Sequence, residues 1–248
     1  MREDGCVKLT VVGCSPAWPN PGGAQSGYLV NGTGNLLLDC GPGVLARLRS
    51  RDPWPRVDAI VITHFHLDHW GDLVPWVWGS MYLGTRGDAP ARAAVWVPPG
   101  GIDALEEFGS RLGFPDMFER VFGVQEYRPG VPFVAARHTV VATQVPHYRL
   151  DAYALRVTDG TRTLTYSGDS GPSVALAEAA RDADLFVCEA TLLRGELDGE
   201  PRGHLALDEA LEAFASSGAK RLLVTHRPVE LPSNDALEYA HDGLELEV

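Results

Sequence analysis

Short apolar runs rich in β-branched residues recur along the chain, and glycine, proline or aspartate bounds most of them. Runs of this kind are typical of β-strands, whereas apolar residues at three- and four-residue spacing indicate helices. The pattern predicts strands at Val7–Gly13, Gly27–Asn31, Asn35–Asp39, Asp58–Thr63, Ala93–Pro98, Val121–Tyr127, Pro132–His138, Val140–Val145, Ala152–Thr158, Thr161–Ser167, Asp184–Cys188 and Arg221–Thr225, and helices at Pro42–Ser50, Leu73–Leu83, Ile102–Leu112, Pro172–Arg181 and Leu207–Ser216.

The order of these elements predicts two sheets flanked by helices, in a single domain over residues 1–248. The dipeptide Asp159-Gly160 separates two alternating runs, which predicts a hairpin with a two-residue type I′ turn. The helix Leu73–Leu83 is apolar all round, so we expect it to be buried on both sides.

Composition narrows the class of partner. Of the 248 residues, 33 are acidic and 21 are Lys or Arg, which gives a net charge of −12. This balance disfavours long nucleic acids, because binding to their phosphates needs positive charge. Cys6, Cys14, Cys40 and Cys188 form no metal-binding pair, so we expect reduced, buried thiols. The chain shows no signal peptide and no membrane-length apolar run, so a cytoplasmic protein without membrane contact is expected.

The clearest chemical signal is the sequence HFHLDH, which directly follows the apolar strand DAIVIT. Residues two apart on an extended chain point the same way, so His64 and His66 can hold one metal ion. Asp68 and His69 are adjacent and diverge, so they can reach a second ion. Imidazole and carboxylate ligands suit zinc, manganese or iron better than calcium or magnesium. The alternative is a solvated, histidine-rich turn.

Three further polar residues stand at or just after the ends of predicted strands. His147 follows one strand and a proline, Asp169 follows a strand in the tripeptide Ser-Gly-Asp, and His226 directly follows another. Any one of them alone would be read as an ordinary exposed residue. Three on the same kind of strand end favour convergence at one site.

The order HxHxDH, distant His, Ser-Gly-Asp and Thr-His resembles the metallo-β-lactamase superfamily from Val7 to His226. The resemblance implies an α+β fold, a four-layer αββα sandwich with the site at the edge of its sheets. Redox-active diiron relatives have Glu at the second His of the motif, so His66 favours a hydrolase. The resemblance further implies that His64, His66 and His147 hold one of two divalent ions, Asp68, His69 and His226 hold the other, and Asp169 bridges them, with zinc as the expected metal.

The succession Glu189-Ala190-Thr191 followed by His204 resembles the RNase Z-like phosphodiesterases. The resemblance implies that Glu189 orients His204, which protonates the leaving alkoxide, while Asp68 orients the attacking water. Expelling an alkoxide from phosphorus is slow without such a proton donor. Cys188 departs from the His common in tRNA-processing members. The alternative for His204 is a solvated loop histidine.

The tRNA 3′-endonucleases of this branch carry a long arm between the third His and the bridging Asp. Here only 21 residues separate His147 from Asp169, and the predicted hairpin uses them all. We therefore expect a small phosphodiester substrate, such as a cyclic nucleotide. A lactone or thioester hydrolase is the second candidate, although those relatives generally lack the Glu189 and His204 pair. A tRNA 3′-endonuclease is the third. A non-enzymatic module would need an incomplete site.

Three other features have weaker implications. The Leu73–Leu83 helix resembles a homodimer interface of the branch, with stacking on the substrate as the alternative. The Gly- and Pro-rich stretch Ser15–Ser26 is expected to be a mobile loop near the site that shapes substrate access, or a plain surface connection. Asp39, at the end of a strand, is a candidate hydrogen-bond partner of a metal-binding His.

Overall fold

The computed structural model of the protein describes residues 7–248, so the prediction for Cys6 concerns a residue outside this range. Cys14, Cys40 and Cys188 are buried, free thiols, as expected. The strands are β1 (Lys8–Gly13), β2 (Gly27–Asn31), β3 (Asn35–Leu38), β4 (Ala59–Val61), β5 (Ala94–Val97), β6 (Gly123–Glu126), β7 (Phe133–Ala135), β8 (His138–Val145), β9 (Ala152–Thr158), β10 (Thr163–Tyr166), β11 (Leu185–Glu189), β12 (Leu222–Thr225), β13 (Glu238–Tyr239) and β14 (Glu245–Glu247). The helices are α1 (Val44–Arg49), α2 (Leu67–Trp70), α3 (Leu73–Thr85), α4 (Gly101–Arg111), α5 (Val174–Ala179) and α6 (Leu207–Ser217), with a 3-10 turn at Gly195–Leu197.

The first sheet has the strand order β14-β1-β2-β3-β4-β5-β6. Its strands pair antiparallel from β14 to β3 and parallel from β3 to β6. Parallel neighbours need crossover connections, and here these connections contain α1, then α2 and α3, then α4. Strand β4 is buried along its whole length, as its apolar sequence AIV indicates for a strand covered on both faces.

The second sheet has the order β13-β12-β11-β10-β9-β8-β7. Strands β7 to β10 pair antiparallel, and β10 to β13 pair parallel through crossovers that contain α5 and α6. Strands β8, β10, β11 and β12 therefore run in one direction. Their carboxyl ends meet at one edge of the sheet, which is where ligand-binding residues collect in sheets of this kind.

Three apolar layers hold the elements together. Side chains alternate across a strand, and β3 shows this directly: Leu36 and Leu38 lie in the core between the sheets, whereas Leu37 packs towards α1 and α3. A third core, with Leu176 and Phe186, lies between the second sheet and α5 and α6. The predicted four-layer αββα sandwich of the α+β class is confirmed.

The hairpin at Asp159-Gly160 differs from the prediction. Thr158 pairs with Thr163, which leaves a four-residue loop. A type I′ turn needs a positive φ at both central residues, but only Gly160 has one. The Asp159 carboxylate instead accepts hydrogen bonds from the backbone N–H groups of Thr161 and Arg162. This side-chain turn replaces the tight backbone turn, and the predicted two-residue turn is wrong.

Helix α3 is also placed differently. Leu73 and Val77 are fully buried, but Trp78 is 39% exposed and Tyr82 is 61% exposed. The expectation that this helix is buried on both sides is therefore wrong for the single chain, and one apolar face remains at the surface. The short strands β13 and β14 and the helical turn α2 were not predicted.

In residues 7–248, none of the helices has the length and apolar character needed to span a bilayer.

Candidate metal centre

Four predicted ligands form a first cluster at the meeting point of the two sheets. His64 and His66 follow β4, His147 follows β8, and Asp169 follows β10. His66 Nδ1 lies 2.9 Å from His147 Nε2, and His64 Nε2 lies 3.6 Å from Asp169 Oδ2. One donor atom from each of the four lies within 4.8 Å of the others. Three imidazoles and a carboxylate at this spacing could hold one metal ion.

A second cluster shares Asp169 with the first and adds Asp68, His69 and His226. His69 Nε2 lies 3.3 Å from both Asp68 Oδ2 and Asp169 Oδ1. His226 Nε2 lies 3.5 Å from Asp169 Oδ1 and 3.6 Å from Asp68 Oδ2. The two oxygens of Asp169 thus face different clusters, which is the geometry that a bridging ligand requires.

The conformation of the HFHLDH segment explains this convergence. His66 has an extended backbone, but Asp68 and His69 lie in the helical turn α2. Their side chains therefore converge on one point, with 3.3 Å between Oδ2 and Nε2. The expected divergence of these two neighbours is wrong, since it assumed an extended chain. Their predicted separation from His64 and His66 is correct.

Unsatisfied polar atoms test whether the clusters suit a cation. Four buried atoms in the clusters have no hydrogen-bond partner: His64 Nε2, His69 Nε2, Asp68 Oδ2 and Asp169 Oδ1. Leaving such groups unpaired in a protein interior is costly. All four point into the clusters, and all are donor atoms that divalent metals accept. The residues present fit metal ions.

The electrostatics of the clusters agree with this fit. Burial lowers the pKa of His64, His66, His147 and His226, which keeps these imidazoles neutral, the form that binds metal. For His69, burial is outweighed by the surrounding carboxylates, Asp169 first, and they hold its pKa well above the usual range. The carboxylates of the second cluster therefore stabilise a positive charge placed among them.

Hydrogen bonds on the far sides of the rings fix their orientation. His69 Nδ1 lies 2.6 Å from Asp39 Oδ2, and the Asp39 carboxylate also accepts from the backbone N–H of Thr63 and from Tyr166 Oη. His147 Nδ1 donates to the carbonyl oxygen of Gly203 at 2.7 Å. Such partners leave Nε2 directed at the metal position. The structure thus places Asp39 as the sequence suggested.

Two further hydrogen-bond partners of the metal-site histidines, Ser26 and Thr63, were not predicted from the sequence. Ser26 Oγ lies 3.1 Å from His226 Nδ1, and Thr63 Oγ1 lies 3.0 Å from His64 Nδ1. Thr63 directly precedes the histidine motif, which was a usable signal. Ser26 lies 200 residues from its partner along the chain. No local pattern connects them.

Glu189 and His204 meet beside the first cluster. Glu189 Oε1 lies 2.9 Å from His204 Nδ1, and Glu189 is fully buried at the end of β11. Burial opposes a charge on His204, but the Glu189 carboxylate outweighs it and raises the pKa of His204 to about 9. The ring is 5.0 Å from that of His147. A protonated imidazole therefore borders the metal position at neutral pH.

An open cleft of about 550 Å³ borders the clusters on the side of His66 and Asp68. The Ser15–Ser26 loop contributes Ala17 and Gln25 to its lining, so this loop does lie at the edge of the site. The loop is also tied down, because Asn20 donates a hydrogen bond to the carbonyl oxygen of Arg227. The cleft is large enough for a small organic phosphate.

Comparisons with known proteins agree with the fold. A family model described as the beta-lactamase superfamily domain matches residues 34–227. The probable metallo-hydrolase YhfI of Bacillus subtilis is 32% identical over 223 residues, covering 90% of this chain and 87% of YhfI. A crystal structure of YhfI superposes with a TM-score of 0.85 at 26% identity, over 99% of this chain and 100% of that one.

Two other proteins are more distantly similar. Ribonuclease Z of Myxococcus xanthus is 28% identical over 272 residues, covering 89% of this chain and 86% of that protein. The structure of a diphosphatase from the PhnP family shares the fold, with a TM-score of 0.75 at 20% identity over 98% of both chains. The chain belongs to the beta-lactamase superfamily and is a metal-dependent hydrolase, as the sequence predicted, and its more distant relatives include ribonuclease Z.

Proposed function

We propose that this protein hydrolyses a small phosphodiester, such as a cyclic nucleotide, with two divalent metal ions. The observation that carries the proposal is the union of two features. Six buried ligands and the exposed His66 bring together several donor atoms without hydrogen-bond partners, and the Glu189–His204 pair lies against the first cluster. The first feature suits hydrolysis in general, whereas the second suits a leaving group that needs a proton.

The proposed ligand sets follow the two clusters. His64, His66 and His147 would hold one ion, with Asp169 between the ions. Asp68, His69 and His226 would complete the second set. Mixed imidazole and carboxylate ligands favour zinc, with manganese or iron as alternatives. Bound ions of this kind neutralise phosphate oxygens and lower the pKa of coordinated water.

The protein's own side chains supply the remaining steps. Asp68 Oδ2, buried and without a hydrogen-bond partner, is placed to orient the attacking water. The side chain of His204 is 15% exposed and carries a proton, and Glu189 fixes the ring through its Nδ1. His204 therefore donates that proton from Nε2 to the departing alkoxide oxygen, a role worth about 10² to 10⁴ in rate.

The size of the substrate is inferred from the hairpin and the charge. Between His147 and Asp169 the chain forms β9, a four-residue loop and β10, all within the second sheet. This segment provides no arm for a tRNA, and the net charge of −12 opposes polyanion binding. Both features favour a small phosphodiester over a tRNA precursor.

A substrate screen on metal-replete protein tests the proposal. It compares cyclic nucleotides, bis-p-nitrophenyl phosphate, an acyl lactone, a thioester and a precursor tRNA with a 3′ trailer. Faster turnover of a small diester supports the proposal. Preference for the lactone or thioester identifies an acyl hydrolase, and trailer cleavage identifies a tRNA 3′-endonuclease. Either result contradicts it.

We also propose that the exposed face of α3 forms a homodimer. Trp78 packs edge-on against Phe114 at 5.1 Å, and Tyr82 lies one turn further along the helix. These exposed aromatic rings resemble an interface core, where Trp, Tyr and Phe are enriched. Light scattering on the protein and on a Tyr82→Glu variant tests this proposal, and a monomeric wild type contradicts it. The single domain over residues 1–248 and the cytoplasmic location stay predictions.

A further inference from the structure

The carboxylate of Asp198 organises the segment that carries His204. Its side chain is only 4% exposed. Oδ2 accepts hydrogen bonds from the backbone N–H groups of Gly203 at 2.8 Å and His204 at 3.0 Å. Oδ1 accepts from the N–H of Gly199 and from Tyr148 Oη, both at 3.0 Å. These bonds lower the pKa of Asp198 against the effect of burial, so the group stays ionised.

Tyr148 ties the same segment to the metal centre. It directly follows His147 and has a φ of 50°, a left-handed conformation that is unfavourable for an aromatic residue. Its backbone N–H donates to the carbonyl oxygen of Arg202. Its ring packs so closely on Gly203 that an added Cβ there would lie 2.4 Å from it. Contacts of the backbone and of the ring keep Tyr148 in this strained conformation.

One peptide unit therefore serves two functional side chains. The carbonyl oxygen of Gly203 accepts from His147 Nδ1 at 2.7 Å, and the next residue is His204 itself. Asp198 accepts from the N–H of this peptide, on His204, and from the N–H of the preceding one, on Gly203. Moving the peptide would shift a proposed metal ligand and the proposed proton donor together.

Resting on the proposed function, we infer that Asp198 and Tyr148 are positioning residues for the reaction. They set the proton donor His204 relative to the leaving group and at the same time fix the ring of His147. Neither residue is assigned a contact with the substrate. The segment has a second anchor: Arg202, whose Nε lies 3.7 Å from Asp198 Oδ2, also forms a two-point ion pair with Glu209 at 2.7 Å on each arm. Loss of Asp198 should therefore misplace the peptide without unfolding the segment.

The test compares two diesters that differ in their leaving groups. Bis-p-nitrophenyl phosphate releases a stable phenolate that needs little protonation, whereas a cyclic nucleotide releases an alkoxide. Small displacements of a catalytic group cost up to about 10²-fold. We expect Asp198→Asn to lower kcat on the cyclic nucleotide by about that factor and on the aryl diester only a few-fold. Tyr148→Phe, which removes one hydrogen bond, should give about a tenfold loss on the cyclic nucleotide.

A second measurement follows metal retention by competition with a chelator. Loss of a hydrogen-bond partner behind a metal-binding His weakens metal binding by about 10- to 100-fold. Asp198→Asn should show such weakening because it displaces the acceptor of His147. His204→Ala should not, because it leaves the Gly203 carbonyl in place. Glu196→Gln, at an exposed carboxylate in the same loop, is the matched control and should leave both readouts unchanged.

Each outcome decides the inference. A selective loss of kcat on the cyclic nucleotide, together with weaker metal retention, supports the inference. Equal losses on both diesters, unchanged metal retention, or wild-type behaviour of Asp198→Asn would overturn it. If Asp198→Asn does not fold, the same comparison is read from Tyr148→Phe. If the wild type cleaves no diester, the proposed function fails, and metal retention alone then decides whether Asp198 positions His147.

Discussion

The seven clustered ligands and the His204 segment lie side by side but are held in place by different means. The ligands stand at or just after the ends of β4, β8, β10 and β12, and the sheets fix where those ends are. His204 lies on a loop between β11 and α6, and buried carboxylates fix it instead: Glu189 at the ring and Asp198 at the backbone. The first region depends on the fold as a whole, whereas the second depends on a few hydrogen bonds.

This difference predicts different responses to substitution. Losing one ligand should remove metal and all activity while the fold persists. Losing an anchor of the loop should at most weaken metal binding, as expected for Asp198, and should damage only the steps that need a proton. The following experiments separate these two kinds of response, beginning with the largest expected effect.

The largest effect is expected for Asp169→Ala. Its two oxygens face both clusters, so the change removes a ligand from each metal position. Activity should fall by on the order of 10⁴-fold or more on every substrate, as for loss of a central catalytic group. Metal analysis should show ions lost. Asp151→Asn, at an exposed aspartate, is the control, and retained metal in Asp169→Ala would contradict the bridging assignment.

His204→Ala should give the next largest effect, and only on some substrates. Removing a general acid costs about 10² to 10⁴ in rate where the leaving group needs a proton. Turnover of a cyclic nucleotide should fall by that amount, aryl diesters should change little, and bound metal should stay the same. Full activity of this variant on alkyl diesters would show that the Glu189–His204 pair is not the proton donor.

A smaller effect is expected for Asp39→Asn, which weakens the bond to His69 without touching a ligand atom. Changes of this kind lower metal affinity by about 10- to 100-fold. Chelator competition measures the change. Added metal should restore most of the activity, and failure of this rescue would show that Asp39 does more than orient His69.

The smallest effect is a pH dependence. Because Glu189 raises the pKa of His204 to about 9, the proton donor is charged at neutral pH and is lost as the pH rises through that value. The rate on a cyclic nucleotide should therefore fall above about pH 9, and the rate on bis-p-nitrophenyl phosphate should fall less. Rate–pH profiles of both substrates measure this. If the rate of His204→Ala on the cyclic nucleotide falls over the same alkaline pH range, the fall belongs to a group other than His204.

The same difference explains how much of the site could be found from the sequence. Histidines and aspartates that follow apolar strands can be recognised in the sequence, because strands that run in the same direction end at the same edge of a sheet. All seven proposed ligands were found in this way. Asp198 and Tyr148 were missed. Asp198 lies in the stretch GELDGEP, which reads as a solvated loop, and its burial depends on a partner 50 residues away. The left-handed backbone of Tyr148 has no signature in sequence.

The fold was predictable to a similar extent. Long apolar runs gave the strands of both sheets, since burial on two faces leaves a clear pattern. The type of the Asp159 turn was not predictable, because a side-chain hydrogen bond competes with the backbone turn there. The helical turn α2 was hidden because a four-residue helix shows no periodicity.

The two sheets contribute separately to the ligand sets: the ligands between residues 64 and 69 follow a strand of the first sheet, and His147, Asp169 and His226 follow strands of the second. Ions bound there would cross-link two halves that are otherwise joined by apolar packing and by a few hydrogen bonds, such as that from Tyr166 Oη to Asp39. Their binding free energy would then count towards folding, about 2.7 kcal/mol for one ion at a hundred times its dissociation constant. The melting temperature of such an enzyme would depend in part on the concentration of free metal ions in the cell.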